Sequence, residues 1–184
     1  MRGAESIQDC LKGDMDWNRF YGLAKSHGVQ PLVWTSLHKL QNPQIPKPIL
    51  KRLFSDFQAI AHNNLAQLGE LNRIGRAFQA IGLDWISLKG PLLSRKIFGD
   101  YHFRESVDLD VLVPADRIRD AERELTRLGY RRRFPAFTLT QSQEKGFRRI
   151  YHTVNYYHAP SNQMVELHWR LFNHPGLLPA SFTL

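Results

Sequence analysis

Two aspartates one residue apart, Asp108 and Asp110, lie in the stretch ESVDLDVLVP (residues 105–114), which otherwise has the composition of a buried strand. Alternate side chains of a strand point to the same face, so the two carboxylates are predicted to lie side by side. Like charges at a half-buried position repel each other unless a cation or a proton relieves them. The pattern therefore indicates a neighbouring cation or a shared proton.

A third carboxylate, Glu166, lies in a later predicted strand, MVELHW (residues 164–169). If the two strands are neighbours, Asp108, Asp110 and Glu166 converge. Three acids on adjacent strands can hold two Mg²⁺ ions about 3.5–4 Å apart, the arrangement that serves phosphoryl transfer. The alternatives are solvated surface aspartates and an ion pair between Glu166 and an arginine. We interpret His168 and Trp169 as packing or supporting groups rather than as ligands.

Lys89 and Gly90 stand between a predicted strand, residues 83–88, and a predicted helix that begins at Pro91. Glycine lets a phosphate approach the backbone, and the first amides and the dipole of a helix favour anions. Lys89 adds a cation, although an ordinary salt bridge would explain this lysine equally well. The three features together predict a phosphate site.

The order of the predicted elements indicates an α+β protein. Residues 1–81 form a helical N-terminal region, in which a helix over about residues 50–81 is expected to kink or break near Asn63-Asn64 or Gly69. Residues 82–184 form a mixed α/β core with a helix from Pro114 to about residue 128. The predicted strands of this core are residues 83–88, 108–113, 130–134, 147–157 and 164–169.

The net charge of +8 over 184 residues predicts attraction to polyanions or phosphorylated ligands. A group of basic and aromatic residues forms either a nucleic-acid surface or a solvated strand face with core tyrosines. The single cysteine, Cys10, excludes an internal disulfide, and no apolar run has the length of a membrane span. With no signal-peptide core either, we expect a cytoplasmic protein without a membrane partner. The basic and aromatic residues are Arg131–Arg133, Arg148, Arg149, Tyr151, Tyr156 and Tyr157.

The stretch LKGPLLSRKIFGDYHFRESVDLDVLVP (residues 88–114) resembles the signature of the uncharacterised nucleotidyltransferase family within the DNA polymerase beta superfamily. VELHWRL (165–171) and LAKSHGVQPLV (23–33) resemble other segments of that family, so the resemblance covers nearly the whole chain. It implies a polymerase-beta-like core, a mixed sheet with flanking helices, after a helical N-terminal region. It further implies that Asp108, Asp110 and Glu166 are catalytic and bind metal, and that Lys89, Gly90 and Arg104 bind the nucleotide.

Two features differ from the pattern. The superfamily usually has Gly-Ser where this chain has Gly90-Pro91, so a serine hydroxyl for the phosphates is missing and Lys89 is its expected replacement. Family members tend to continue into a helical C-terminal region, so the resemblance implies either a truncated form or a minimal member of the family.

The implied reaction moves a nucleoside monophosphate from an NTP to an acceptor hydroxyl and releases pyrophosphate, with two Mg²⁺ ions. The acceptor is open: a small molecule, a tRNA end, or a protein or peptide hydroxyl would each suit the site. One alternative is a catalytically degenerate transferase fold that binds RNA or a protein. A metal-dependent glycosyltransferase is less favoured, because it requires a parallel α/β half upstream of the Asp-x-Asp motif, where this chain has helices.

Overall fold

The computed structural model describes residues 7, 9, 11 and 13–172. The chain forms two compact units. The first, which we call the helical unit, comprises Met1–Leu65 and Ser94–Glu105. The second, the sheet unit, comprises Ala66–Leu93 and Ser106–Leu184.

The helical unit contains helix α1 (Trp17–Ser26), helix α2 (Gln30–Leu40) and the first part of helix α3 (Lys47–Ala80). Helix α1 begins after Asp16, whose side chain accepts a hydrogen bond from the backbone N–H of Arg19 at 3.0 Å and so caps the helix. Helix α2 carries proline in its first turn, where the missing N–H costs nothing. The apolar core of the helical unit is formed by Leu11, Tyr21, Leu37, Ile45, Ile49 and Leu53.

Helix α3 runs for 34 residues without interruption, so the helix does not break near Asn63-Asn64 or Gly69. Asparagine disfavours a helix when its side chain competes for nearby backbone groups. Here the fully buried Asn64 side chain instead donates to the carbonyls of Tyr101 and Arg104, at 2.7 and 2.9 Å. The local competition is thereby removed, and the helix continues.

The sheet unit contains a five-stranded sheet in the order β1-β2-β5-β4-β3. Strands β2 and β5 are parallel, and the other neighbours are antiparallel. This mixed sheet with helices, preceded by a helical region, confirms the predicted α+β class. The strands are β1 (Ile86–Ser87), β2 (Leu109–Leu112), β3 (Arg131–Phe134), β4 (Thr153–His158) and β5 (Gln163–His168), and the remaining helices are α4 (Pro91–Phe98), α5 (Ile118–Arg127) and α6 (Gln141–Ile150).

Three of the predicted element bounds are wrong. Residues 147–150, expected in a strand, lie in helix α6, which starts at a capping box in which Thr140 and Gln143 each bond the other's backbone N–H. The strand expected over residues 83–88 is confined to Ile86–Ser87, since only these two residues pair with β2. Helix α5 begins at Ile118 rather than at Pro114, after a turn closed by the bond from Arg117 N–H to the Pro114 carbonyl.

One face of the sheet is packed against α3 and α5. Leu109 and Val111 of β2 and Val165 and Leu167 of β5 alternate along their strands and are at most 1% exposed. They share one apolar core with Leu71, Ile74 and Phe78 of α3, so residues 71–78 pack within the sheet unit although they precede residue 82. Within the described part of the chain, no helix has the length and apolarity needed to cross a membrane.

Two glycines of α3 provide a matched test of this packing. A Cβ at Gly75 would lie 2.5 Å from Cζ2 of Trp85, whereas a Cβ at Gly69 would meet nothing within 4 Å. Gly69→Ala should raise the free energy of unfolding by about 1 kcal/mol, the usual gain in helix propensity. Gly75→Ala should lower it, because a clash with a core ring costs about 1–3 kcal/mol or more. Urea unfolding of both variants measures this; equal stabilisation would contradict the described Trp85 position.

Candidate active site

The parallel pairing of β2 and β5 places Asp110 directly opposite Glu166 in register. Their side chains point away from the core, because Leu109, Val111, Val165 and Leu167 occupy the other face. Asp108 lies just before the first residue of β2 and is half-buried. The sheet itself thus brings an early and a late acid of the chain together.

Hydrogen-bond donors surround the acid pair. His168 Nε2 lies 3.0 Å from Asp110 Oδ1 and 3.2 Å from Glu166 Oε2. Lys89 Nζ donates to Asp110 Oδ1 at 3.0 Å, and Thr153 Oγ1 donates to Glu166 Oε1 at 3.2 Å. The Asp110 side chain is only 2% exposed, so these donors replace the water that the carboxylate has lost.

The two aspartates respond to this environment in opposite directions. Burial would raise the pKa of Asp110, but hydrogen bonds from His168 and Lys89 outweigh it and lower this pKa to about 2. Burial and the negative charge of Asp110 raise the pKa of Asp108, and Lys89 opposes this only in part. The repulsion predicted from the sequence therefore falls on Asp108, while Asp110 is held in its charged form.

His168 contacts both acids of the site, which agrees with the supporting role that its sequence context indicates. Carboxylates only accept hydrogen bonds, so a hydrogen bond from His168 to either acid requires the tautomer with a proton on Nε2. His168 follows Glu166 by two positions in a strand, so the two side chains share one face of the sheet. Trp169 is a packing residue, as expected: it is 7% exposed within the core, and its Nε1 donates to the Arg148 carbonyl at 3.3 Å.

Lys89 and Gly90 form the turn between β1 and α4. Gly90 has φ +76°, a conformation that side chains disfavour, and an added Cβ would lie 3.3 Å from Ser106 Oγ. Pro91 is the first residue of α4, where its fixed φ suits a helix start. The Lys89 side chain is about half exposed (53%) although its Nζ contacts a buried carboxylate.

Arg104 belongs to the helical unit, whereas the five other predicted site residues belong to the sheet unit. Its backbone carbonyl accepts the hydrogen bond from Asn64 described above. A nucleotide contact by the Arg104 side chain remains a prediction.

The basic and aromatic residues fall into two groups: some connect strands to helices, and the others are exposed. Arg148 bridges Glu122 and Glu144 at 2.8 and 3.0 Å, and Arg132 contacts Glu144 at 3.3 Å. The buried Tyr156 donates to Glu122, so these residues join strands β3 and β4 to helices α5 and α6. Arg131, Arg133, Arg149 and Tyr151 remain exposed.

The sequence shows no ligand spacing among His152, His158 and His174, and we interpret these histidines as structural. His158 stacks on Tyr130 with ring centroids 4.9 Å apart, and its Nδ1 lies 2.7 Å from Ser161 Oγ. His152 lies beside His168, with ring centroids 5.7 Å apart. His174 lies outside the described residues.

The donor set around the acid pair fits a divalent cation. Asp110, Glu166 and His168 each offer one ligand atom, and these atoms lie within 4.8 Å of one another. Carboxylate oxygens are the ligands preferred by hard cations such as Mg²⁺, whereas the imidazole is a ligand that suits transition metals better. Asp108 is not one of these three residues.

The fold and the site together define an α+β protein in which a parallel strand pair presents two acids beside a Lys-Gly helix start. The chain belongs to the uncharacterised nucleotidyltransferase family, whose model matches residues 13–182. This confirms the family resemblance noted in the sequence. No curated protein and no solved structure matches the chain.

The opposite pKa shifts predict opposite effects of removing each aspartate charge. In a chelating buffer near pH 7, Asp110→Asn should lower the free energy of unfolding by about 2 kcal/mol, since the fold stabilises the charged form. Asp108→Asn should leave it unchanged or raise it, because the fold disfavours that charge. Urea unfolding of both variants provides the comparison.

The pH dependence has a definite sign. A lowered folded-state pKa contributes stability that is complete above the ordinary aspartate pKa of about 4 and is lost as the pH falls towards 2. The difference between wild type and Asp110→Asn should therefore shrink by about half at pH 3 relative to pH 6. A constant difference over this range would contradict the Asp110 assignment.

Proposed function

We propose that this protein transfers a nucleoside monophosphate from an NTP to an acceptor hydroxyl and releases pyrophosphate. The main support is the in-register pairing of Asp110 with Glu166 beside the Lys89-Gly90 turn, in a chain that belongs to a nucleotidyltransferase family. The alternative of solvated surface acids does not explain why the two strands pair in register, why Asp110 is buried, or why three hydrogen-bond donors surround the pair.

The carboxylates of Asp108, Asp110 and Glu166 would hold the two Mg²⁺ ions that the family resemblance implies. Bound Mg²⁺ would neutralise charge on the triphosphate and lower the pKa of the acceptor hydroxyl. His168 and Lys89 keep Asp110 ionised and correctly oriented before any cation arrives. The acid is thus prepared as a ligand without an energetic penalty for deprotonation.

The triphosphate would lie against the Gly90 turn and the first amides of α4, where the helix dipole favours negative charge. Lys89 would exchange its contact with Asp110 for a phosphate oxygen. The side chain is half exposed, so this movement disrupts little packing. Arg104 is the second cation proposed for the nucleotide.

Glu166 is the proposed general base. Its side chain is 25% exposed, against 2% for Asp110, so it is the more accessible of the two to an incoming hydroxyl. The acceptor oxygen forms a bond to the α-phosphorus. The bond from that phosphorus to the oxygen that bridges the α- and β-phosphorus breaks, and pyrophosphate leaves with the electron pair. The hydroxyl proton passes to Glu166.

The exposed arginines of the sheet unit favour a phosphorylated or nucleic-acid acceptor, such as a tRNA end, over a neutral one. A small molecule and a protein or peptide hydroxyl are the other acceptor classes. The same arginines would serve a degenerate fold that binds RNA or a protein without turnover, so activity is the quantity to measure.

The central test is label transfer. The protein is incubated with each α-labelled NTP, Mg²⁺ and a cell extract, and labelled products are separated. We expect one labelled product class with wild type. Label should fall by more than about 100-fold with Asp110→Ala or Glu166→Gln, since even residues that only support a metal ligand contribute about 10–100-fold.

Three controls accompany the assay. Excess EDTA should abolish transfer, and Glu105→Gln, an exposed acid of the loop before β2, should retain it. Circular dichroism and a melting curve establish that each variant is folded. Equal labelling by wild type and the folded Asp110→Ala variant would reject the proposed site.

A further inference from the structure

A fully buried glutamine lies on the core side of α3. Gln67 is 0% exposed, and its Nε2 donates to the backbone carbonyl of Ser106 at 3.1 Å. Its Oε1 is also buried and has no hydrogen-bond partner among the described residues. Burying an amide oxygen without a partner is costly, and a methionine of similar size would avoid that cost but would leave the Ser106 carbonyl without this hydrogen bond. Packing alone therefore does not account for a polar side chain here.

Ser106, whose carbonyl accepts the hydrogen bond from Gln67, lies beside both Asp108 and the Gly90 turn. Ser106 is 6% exposed, and its Oγ donates to the Asp108 carbonyl at 2.9 Å. The same oxygen lies 3.3 Å from where a Cβ on Gly90 would be. A hydroxyl has one proton to donate, and here it is committed to Asp108. Ser106 is therefore placed to set the distance between Asp108 and the Gly90 turn rather than to bind a phosphate.

The position of Asp108 depends on the hydrogen bond from Ser106. Regular pairing of β2 with β5 begins at Leu109, so the sheet ladder does not fix the residue before it. On the other side of the turn, Leu88 N–H bonds the Asp110 carbonyl at 3.0 Å and ties the residue before Lys89 to β2. The bond from Leu88 to Asp110 thus connects the Gly90 turn to β2, and the bond from Ser106 to Asp108 holds the preceding segment, whose Ser106 Oγ lies beside Gly90.

We propose that Gln67 and Ser106 are positioning residues that set the spacing between the phosphate-binding turn at Gly90 and the acids of β2. The inference rests on the proposed function for its catalytic consequence. Gln67 fixes the Ser106 backbone from α3, and Ser106 in turn fixes Asp108 and abuts Gly90. The buried, unpaired Oε1 is a stability cost that accompanies this constraint. Reaction rates are sensitive to displacements of about 1 Å, so the loss of this support should reduce turnover.

The test compares Gln67→Met with Gln79→Met, an exposed glutamine on the same helix. Gln67→Met should melt within about 4 °C of wild type, because the cost of leaving the Ser106 carbonyl without this hydrogen bond is offset by the removal of a buried unpaired oxygen. Its kcat for NTP-dependent transfer should nevertheless fall by about 10–100-fold. Gln79→Met should match wild type in both respects. A purely structural role would lower the melting temperature and leave the kcat of the folded fraction unchanged, which would overturn the proposal.

Ser106→Ala and the double variant test whether the two residues act together. If Gln67 works through Ser106, the double variant should lose no more kcat than the more impaired single variant. Multiplying losses would mean that the two residues act separately and would overturn the shared role.

Amide hydrogen exchange without any ligand separates this inference from the proposed function. In Gln67→Met, residues 88–90 and 106–110 should exchange faster than in wild type, while β4 should be unchanged. If wild type neither binds nor transfers nucleotide, the proposed function fails, and the exchange result still decides whether Gln67 supports both segments. Unchanged exchange in both segments would reject the positioning role whatever the activity.

Discussion

The candidate site depends on the parallel, in-register pairing of β2 with β5. Two strands far apart in sequence present Asp110 and Glu166 at the same level, and their other faces form the centre of the apolar core. A shift of one residue would turn the acids into the core and expose the leucines and valines, so the apolar packing that stabilises the sheet also enforces the acid pair. The chemistry of the site and the stability of the unit therefore share one constraint.

Neighbouring hydrogen-bond donors compensate the charge of the buried Asp110 carboxylate. Lys89 and His168 lower the pKa of Asp110, whereas Asp108 carries the unfavourable effect of burial and of its neighbour's charge. The two aspartates of the motif are thus electrostatically different, although the sequence presents them as equivalent. The lysine that stabilises the metal-free site is also the proposed phosphate contact, which makes its position a reporter of nucleotide binding.

Much of this architecture could be predicted from patterns with a physical basis. Alternating apolar and acidic residues located β2 and β5, and the resemblance of the Lys-Gly and Asp-x-Asp segments gave the family. The errors arose where a competing interaction decides: Asn64 is satisfied by loop carbonyls rather than by its own helix, and the Thr140–Gln143 capping box starts a helix where a strand was expected. The spacing of His168 from Glu166 already placed it on the acid face, but its distances to the two carboxylates depend on the pairing of β2 with β5. The pKa difference between the aspartates depends first on His168 and then on Lys89, which lie 58 and 21 positions from Asp110, so no local pattern reveals it.

The division of the chain into two units has a consequence for dissecting the protein. The chain passes from one unit to the other at three points, after Leu65, after Leu93 and after Glu105. The first two points lie inside α3 and α4. Neither unit corresponds to one continuous stretch of sequence. A fragment that ended at either of the first two points would end in the middle of a helix, and a chimera between relatives would have to join these helices in register. Exchange of a whole unit therefore cannot be made at loops alone.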